Sequence, residues 1–241
     1  MNLITELLDS LTRDGPVSEV LVGARWTLVG GQAGWGMAGT RAEETGGHAS
    51  NVIAQAGQLT DCSARQLAEM AGSAVPLERS VGLAALNSLV DVDPSQTVDL
   101  NVSDYLVEHG QGRNMVVVGS FPFLERLRAI PKRFWVLELS PGPDELPASA
   151  ADQIIPQADV VAITSSTLLN QTLDGLLALC RPQAQVVLIG PSTPMSPVWF
   201  DHGVDVLAGV VIDRPADALR TVGQGACFRQ MRGVRHIILR R

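Results

Sequence analysis

Small polar side chains and glycines follow four apolar runs in the second half of this 241-residue chain. If the runs are parallel strands, their carboxyl ends meet at one edge of a sheet, which is where ligands bind in open α/β sheets. Hydroxyl, carboxylate and amide groups at such an edge can bind a phosphate, a sugar or a carbonyl group. The predicted cofactor-binding residues are Gly119, Ser120, Glu138, Thr164, Ser165, Asn170, Gly190, Ser192 and Thr193.

The fourth loop carries the most polar groups, in the segment LIGPSTPMSPVWF at 188–200. Gly190 allows a sharp turn at the end of the strand, and the prolines restrict the backbone that follows. Ser192 and Thr193 are then positioned to donate hydrogen bonds to an oxyanion, a ribose or a carbonyl ligand. The alternative is structural, with the hydroxyls capping a helix that begins near Ser196.

Glu138 ends the second apolar run, nineteen residues after Gly119. In nucleotide-binding Rossmann units a carboxylate at this distance accepts a hydrogen bond from a ribose hydroxyl. The first loop lacks the full glycine triplet of such units. A nucleotide or an S-adenosylmethionine-like ligand is therefore one alternative, and a solvated glutamate at a strand end is the other.

The segment GWGMAG at 34–39 matches the G-x-G-x-x-G pattern of dinucleotide-binding loops. Those loops need a helix to begin within the pattern, because the helix amides bind the pyrophosphate. The residues that follow, TRAEETGGHAS, have no apolar period. We therefore predict a glycine-rich strand or hairpin that binds no phosphate.

Composition excludes several classes of protein. A formal charge of −7 argues against nucleic-acid binding, and the basic C-terminal HIILRR is interpreted as the solvated end of an edge strand. No run approaches the roughly 18 apolar residues of a membrane span, and early acidic residues do not fit a signal peptide, so a cytoplasmic location is expected.

Cysteines and histidines are scattered without metal-ligand spacing, so no metal site is predicted. They are Cys62, Cys180, Cys227, His48, His109, His202 and His236.

Two different patterns divide the chain. A helix is predicted over 3–13, then three short antiparallel strands, then helices from Ser63 to Val90. After DVDPSQT at 91–97, five apolar runs alternate with helical or loop segments, at 115–119, 133–139, 159–164, 184–190 and 204–209. We predict an α/β fold, with a smaller α+β domain over 1–95 and a Rossmann-like parallel sheet domain over 96–241.

Three segments together resemble the heavy-metal chelation family DUF364, whose usual N-terminal partner is a DUF4213 domain. They are PLERSVGLAALNSLV at 76–90, ITSSTLLNQTLDGLL at 163–177 and LIGPSTPMSPVWFDHGVDVLAGVVIDRP at 188–215. The resemblance implies an enolase N-terminal-like domain before the Rossmann-like domain. It also implies a site between the domains, which includes the helix carrying Glu78, Arg79 and Asn87. Glycines are common in the family at the positions of Ser165 and Gln171.

Three functions follow as hypotheses. The first is that the chain binds or transforms a small polar molecule, which could be a metal chelate of pterin or metallophore type, with Glu78 or Glu138 as acid or base. Its predicted substrate-binding residues are Arg79, Asn87, Thr172 and Ser196. The alternatives are a non-catalytic metal-binding protein and a nucleotide- or S-adenosylmethionine-dependent transferase. The sequence identifies no cofactor and leaves open whether the chain is an enzyme or a homo-oligomer.

Overall fold

The structure is a computed structural model that describes residues 3–42, 52–98 and 100–241. The chain folds as two compact units, each built from separate stretches of sequence. The first comprises Met1–Asp93, Pro191–Val198 and Gly209–Arg235, and the second comprises Pro94–Gly190, Trp199–Ala208 and His236–Arg241. The sequence predicted one boundary, near residue 95, and the structure assigns two later segments to the first unit as well.

The helices and strands are as follows in the described residues. The α-helices are α1 (Leu3–Ser10), α2 (Ala64–Ala68), α3 (Pro76–Leu89), α4 (Val102–Gly110), α5 (Leu124–Leu127), α6 (Ala151–Ile154), α7 (Ser166–Leu169), α8 (Leu173–Ala178), α9 (Val198–Asp201) and α10 (Pro215–Gly223). The strands are β1 (Val17–Val22), β2 (Trp26–Gly31), β3 (Gly34–Gly39), β4 (Thr97–Val98), β5 (Asn114–Val118), β6 (Arg133–Glu138), β7 (Leu146–Pro147), β8 (Val160–Thr164), β9 (Gln185–Ile189), β10 (Val206–Ile212) and β11 (Val234–Arg240).

The first unit contains the predicted antiparallel meander, in the order β1-β2-β3. Helix α1 ends at Ser10, three residues before the predicted end. Helix α3 begins at Pro76, where a missing N–H costs nothing because the first helical turn has no intrahelical acceptor for it. Leu28, Met37, Ala218 and Val222 form a buried apolar cluster in this unit.

The segment GWGMAG forms β3, as the sequence predicted. It pairs with β2 in antiparallel register, with Val29 opposite Gly36 and Gly30 opposite Trp35. The glycines are required because β3 lies directly against the backbone of α3. A Cβ atom at Gly36 would collide with the carbonyl oxygen of Ala84 and the amide nitrogen of Ser88.

The second unit is built on an eight-stranded sheet in the order β4-β11-β10-β9-β8-β5-β6-β7. The pairs β10-β9, β9-β8, β8-β5, β5-β6 and β6-β7 are parallel. The predicted Rossmann-like parallel sheet is therefore confirmed. Its central strands are apolar along their whole length because they are buried, as in sheets covered on both faces.

The C-terminal strand corrects one sequence interpretation. We expected HIILRR to lie at an edge of the sheet, but β11 lies between β4 and β10 and is antiparallel to β4. Ile237, Ile238 and Leu239 are buried. The two-residue strand β4 takes the edge position, which a pattern search could not detect in so short a segment.

The strand order reverses direction at β5. After β6 and β7 the chain returns to the other side of β5 and continues through β8, β9 and β10. The loops after β5 and β8 therefore flank the switch point, where parallel α/β sheets open a crevice at their carboxyl edge. None of the helices in the described part of the chain has the length and apolar character that a membrane crossing needs.

Candidate functional site

A cavity of about 230 Å³ in the first unit brings distant parts of the sequence together. It is lined by β3, the C-terminal end of α3, the loop after β9 and residues of β10. The lining residues used below are Arg13, Trp35, Asn87, Asp91, Thr193 and Met195. Two of them, Asn87 and Thr193, were predicted from the sequence to contact a ligand.

Asn87 lies on α3, and only its side-chain nitrogen has a hydrogen-bond partner among the described residues. Its Nδ2 donates to the carbonyl oxygen of Met37 on β3, at 2.9 Å. This bond identifies the nitrogen, because a carbonyl can only accept. The other amide atom, Oδ1, is buried and has no hydrogen-bond partner among the described residues. A buried acceptor without a donor is costly, which makes this atom a candidate for a ligand N–H or O–H.

Trp35 on β3 is also among the residues that line the cavity. Its ring occupies the space above Gly30 on the neighbouring strand, where a Cβ atom would collide with the ring. Gly36 and Gly34 keep the backbone of β3 close to α3, on which Asn87 lies. The glycine pattern that mimics a phosphate loop thus serves close strand-to-helix packing.

The loop after β9 contributes Thr193 to the cavity and attaches itself to β3 through Ser192. Ser192 and Thr193 are both buried, with 2% of their surface exposed. The Ser192 hydroxyl accepts a hydrogen bond from the N–H of Gly39, at 2.8 Å. Helix α9 begins only at Val198, whose N–H donates to the hydroxyl of Ser196 at 3.4 Å. The hydroxyl at Ser192 therefore binds a strand and caps no helix.

Arg13 and Asp91 form an ion pair at this cavity, at 3.3 Å. Arg13 also donates to the carbonyl oxygen of Ala33, so its guanidinium is tied to the chain before β3. The Asp91 side chain is 78% exposed, which leaves it in contact with solvent. Sequence reasoning missed both residues, since neither lies at the end of a sheet strand.

Glu78 and Arg79, also on α3, are engaged in hydrogen bonds elsewhere in the first unit. The Glu78 carboxylate accepts from the Ala54 N–H, at 2.8 Å, and from the Ser73 hydroxyl. Arg79 is buried and donates to the carbonyl oxygens of Ser73 and Ala74, at 2.8 and 2.9 Å. These bonds fix the chain that leads into α3.

At the carboxyl edge of the second unit's sheet, the structure places several predicted residues side by side. Gly119 has φ +106°, and a Cβ there would lie 2.7 Å from the Thr164 methyl group. Gly190 has φ +133°, and a Cβ there would lie 2.6 Å from the Ser165 hydroxyl. Only glycine fits either position, so Gly119 lies close to Thr164 and Gly190 lies close to Ser165. Ser120 follows Gly119 and is exposed.

The remaining predicted residues of the second unit have local partners. The Asn170 Oδ1 accepts from the Thr172 hydroxyl at 2.7 Å, across Gln171, whose φ is +60°. This left-handed conformation is one that glycine adopts most readily. The Glu138 carboxylate accepts from the N–H of Leu139, at 2.9 Å. Helix α5, after the first loop, has only four residues.

Donors for a metal ion are dispersed. No group of three or more His, Cys, Asp or Glu side chains able to hold an ion occurs within residues 3–42, 52–98 and 100–241, and His48 lies outside them. Burial raises the pKa of the Cys180 thiol to about 11, so it carries little thiolate at neutral pH. Direct chelation by a side-chain cage therefore has no support in the described residues.

Comparison with known proteins gives consistent matches over both units. Residues 101–239 match the family model DUF364, and residues 4–90 match DUF4213, both described as "Putative heavy-metal chelation". The uncharacterized protein MJ0500 of Methanocaldococcus jannaschii is 26% identical over 191 residues, which make up 77% of this chain and 70% of that protein.

Two solved structures have the same fold. A DUF364 protein of unknown function from Desulfitobacterium hafniense DCB-2 has a TM-score of 0.85 and 26% identity, covering 99% of this chain and 98% of its own. One from Pyrococcus horikoshii has a TM-score of 0.83 and 20% identity, with the same coverage of 99% and 98%.

Proposed function

The chain belongs to the DUF364 family and carries a DUF4213 domain before it, and from this we propose that it binds a small, planar, polar molecule in the cavity of the first unit. A pterin-like heterocycle, which carries ring and amino N–H donors, matches the groups that line the cavity.

One observation carries the proposal, the unpartnered Oδ1 of Asn87. A ligand N–H bound there would satisfy an acceptor that the protein leaves buried. The bond from Nδ2 to Met37 holds the amide in one orientation, so Oδ1 is positioned in advance. Asn114 has a second unpartnered Oδ1, in the second unit, but it does not line this cavity.

Size and surface of the cavity agree with such a ligand. Its volume of about 230 Å³ is below the roughly 300–1,000 Å³ of sites for drug-sized molecules. Met195 offers apolar contact to a flat ring, and Arg13 and Asp91 offer charged groups to substituents. The ligand is therefore small, with an aromatic body and polar edges.

The family description, heavy-metal chelation, fits a ligand that itself binds metal ions. Pterin-like and metallophore-like molecules have paired oxygen and nitrogen atoms that chelate metal ions. A metal would then be cargo that the ligand carries, which is compatible with the dispersed metal donors of the described residues. Catalytic roles for Glu78 and Glu138 remain predictions.

Native mass spectrometry of the purified protein tests the class of ligand. We expect wild-type protein to retain a small organic mass, with or without a metal, and the Asn87→Leu variant to lose it. Asn114→Leu serves as the matched control, since it removes the other unpartnered amide oxygen. Retention of a bare metal ion would favour the metal-binding alternative, and retention of a nucleotide would favour the transferase.

A further inference from the structure

A groove of about 560 Å³ lies in the second unit, at the amino ends of the parallel strands. Arg113 precedes β5, Gln185 begins β9 and Asp205 precedes β10. Because β11 runs antiparallel, its last residue, Arg240, lies at the same edge, and the Arg241 N–H donates to the carbonyl oxygen of Asp205 at 3.0 Å. The groove is thus at the edge opposite the carboxyl-end loops.

Positive charge dominates this groove. Arg113, Arg240 and Arg241 line it, whereas Asp205 is the single carboxylate side chain among its described lining residues. Arg240 and Arg241 make no ion pair with the described residues, and both are exposed. The Asp205 carboxylate accepts from the N–H of Val186, at 2.8 Å, and so fixes the start of β9.

Arg113 is held in place by hydrogen bonds to uncharged oxygen atoms. Its guanidinium donates to three uncharged acceptors, which are the carbonyl oxygens of His109 and Asp159 and the side-chain oxygen of Gln185, at 3.3, 2.9 and 3.3 Å. The Asp159 carboxylate binds Arg181 directly, and the nearby charge of Arg113 also lowers the pKa of that carboxyl group. Because none of the three hydrogen bonds of Arg113 is made to a carboxylate, the fixed guanidinium can still bind an anionic ligand.

An aromatic pair forms another part of the groove. The rings of Tyr105 and His109 stack at 3.9 Å with 20° between their planes. The His109 Nδ1 donates to the carbonyl oxygen of Tyr105 at 2.9 Å, and Gln185 donates to the Tyr105 hydroxyl. These bonds hold both rings in fixed positions beside the arginines.

We propose that this groove is a binding site for a phosphorylated small molecule. Arg113, Arg240 and Arg241 bind the phosphate, since guanidinium groups match phosphate oxygens in charge and geometry. The volume leaves room for the organic part, which lies beside the Tyr105–His109 stack. The chemistry recognised is the phosphate dianion, whether free or carried as an ester.

Tyr105 provides a built-in reporter because it is the only tyrosine in the chain. Burial raises its pKa, so the hydroxyl stays protonated near neutral pH and titration does not complicate the signal. Protein labelled with 3-fluorotyrosine gives one ¹⁹F resonance at this position. We would titrate it with inorganic phosphate, adenosine monophosphate and adenosine.

We expect a saturable change of the ¹⁹F shift with phosphate and with the monophosphate, and none with adenosine. In the Arg240→Gln/Arg241→Gln variant, affinity for the monophosphate should fall about tenfold or more, because two charge-assisted contacts are lost. The matched control is Arg229→Gln/Arg232→Gln, which removes the same charge from exposed positions in the first unit. Its affinity should stay within about twofold of wild type.

The design separates the sources of the phosphate. Tighter binding of the monophosphate than of inorganic phosphate assigns the site to an ester, and equal binding assigns it to free phosphate. An equal shift with adenosine would overturn the proposal, as would an unchanged affinity in Arg240→Gln/Arg241→Gln. The absence of any saturable shift with the phosphate compounds would overturn it too.

Discussion

Among the described residues of the first unit, hydrogen bonds distinguish predicted site residues that already have protein partners from Asn87, which has an unused acceptor. Ser192 and Glu78, both expected to contact a ligand, accept hydrogen bonds from the protein itself. Asn87 donates from its amide nitrogen, and its amide oxygen has no partner in the part of the chain that the structure describes. The sequence analysis predicted that Ser192 and Asn87 contact a ligand and that Glu78 is an acid or base. It could not show which polar groups already have partners, since that depends on backbone atoms distant in sequence.

The bond between Ser192 and Gly39 leads to a stability prediction. Ser192→Ala leaves a strand N–H without its acceptor, so the free energy of unfolding should fall by about 1–3 kcal/mol. Urea denaturation measures the change. Ser166→Ala, at an exposed position, should change stability by less than about 0.5 kcal/mol. If the two variants are equally stable, the Ser192 hydroxyl has no structural role.

Packing of β3 against α3 explains the glycines of GWGMAG at 34–39, which the sequence analysis predicted to bind no phosphate. Because no helical pattern follows Gly39 in the sequence, a strand or hairpin was predicted at 34–39. The reason for the glycines was not accessible, because it depends on contact between β3 and α3, which are distant in the sequence. Gly36 is required where the two backbones approach most closely.

Gly36→Ala tests this contact between elements. The added methyl group forces β3 and α3 apart, so we expect a loss of about 1–3 kcal/mol or more in the free energy of unfolding. Gly72→Ala is the matched control, because no atom lies within 4 Å of its added Cβ. Comparable thermal melting of the two variants would show that β3 and α3 are not in close contact.

Asp159 joins the amino ends of two neighbouring strands. The hydrogen bond from the Asn114 N–H and the ion pair with Arg181 lower the pKa of its carboxyl group. Its stabilising effect is therefore present above the unfolded-state pKa, near 3.9, and is lost as the pH falls through the lower folded-state pKa. At neutral pH the free energy of unfolding should therefore include the full contribution of the Asp159 carboxylate.

Asp159→Asn should accordingly lower the free energy of unfolding by about 1 kcal/mol at pH 7, a modest value because the pair is partly exposed. The difference from wild type should shrink as the pH falls below about 4. Denaturation curves at several pH values provide the measurement. A difference that is constant from neutral to acidic pH would contradict the assigned role of the carboxylate.

At the scale of the whole molecule, the sequence predicted the type of fold better than it predicted which distant residues lie together. Apolar runs predicted the parallel sheet, and the family motifs predicted the DUF364 membership that the comparisons confirm. The cavity was not predictable, since Arg13, Trp35, Asn87 and Thr193 are brought together from four separate segments. The same holds for the groove between α4, β9 and the end of β11. No local sequence pattern indicates that residues 191–198 and 209–235 belong to the first unit.

The central claim is that Asn87 accepts a hydrogen bond from a ligand in the first unit's cavity, and calorimetric titration with pterin tests it most directly. Wild-type protein should bind pterin but not 1,3-dimethyllumazine, in which N1 and N3 carry methyl groups and a carbonyl oxygen replaces the amino group of pterin, so that no N–H donor remains. Asn87→Leu should weaken pterin binding by about tenfold to a hundredfold, and Asn114→Leu should leave it unchanged. Equal affinity of wild type and Asn87→Leu for pterin, or equal binding of the two heterocycles by wild type, would contradict the account.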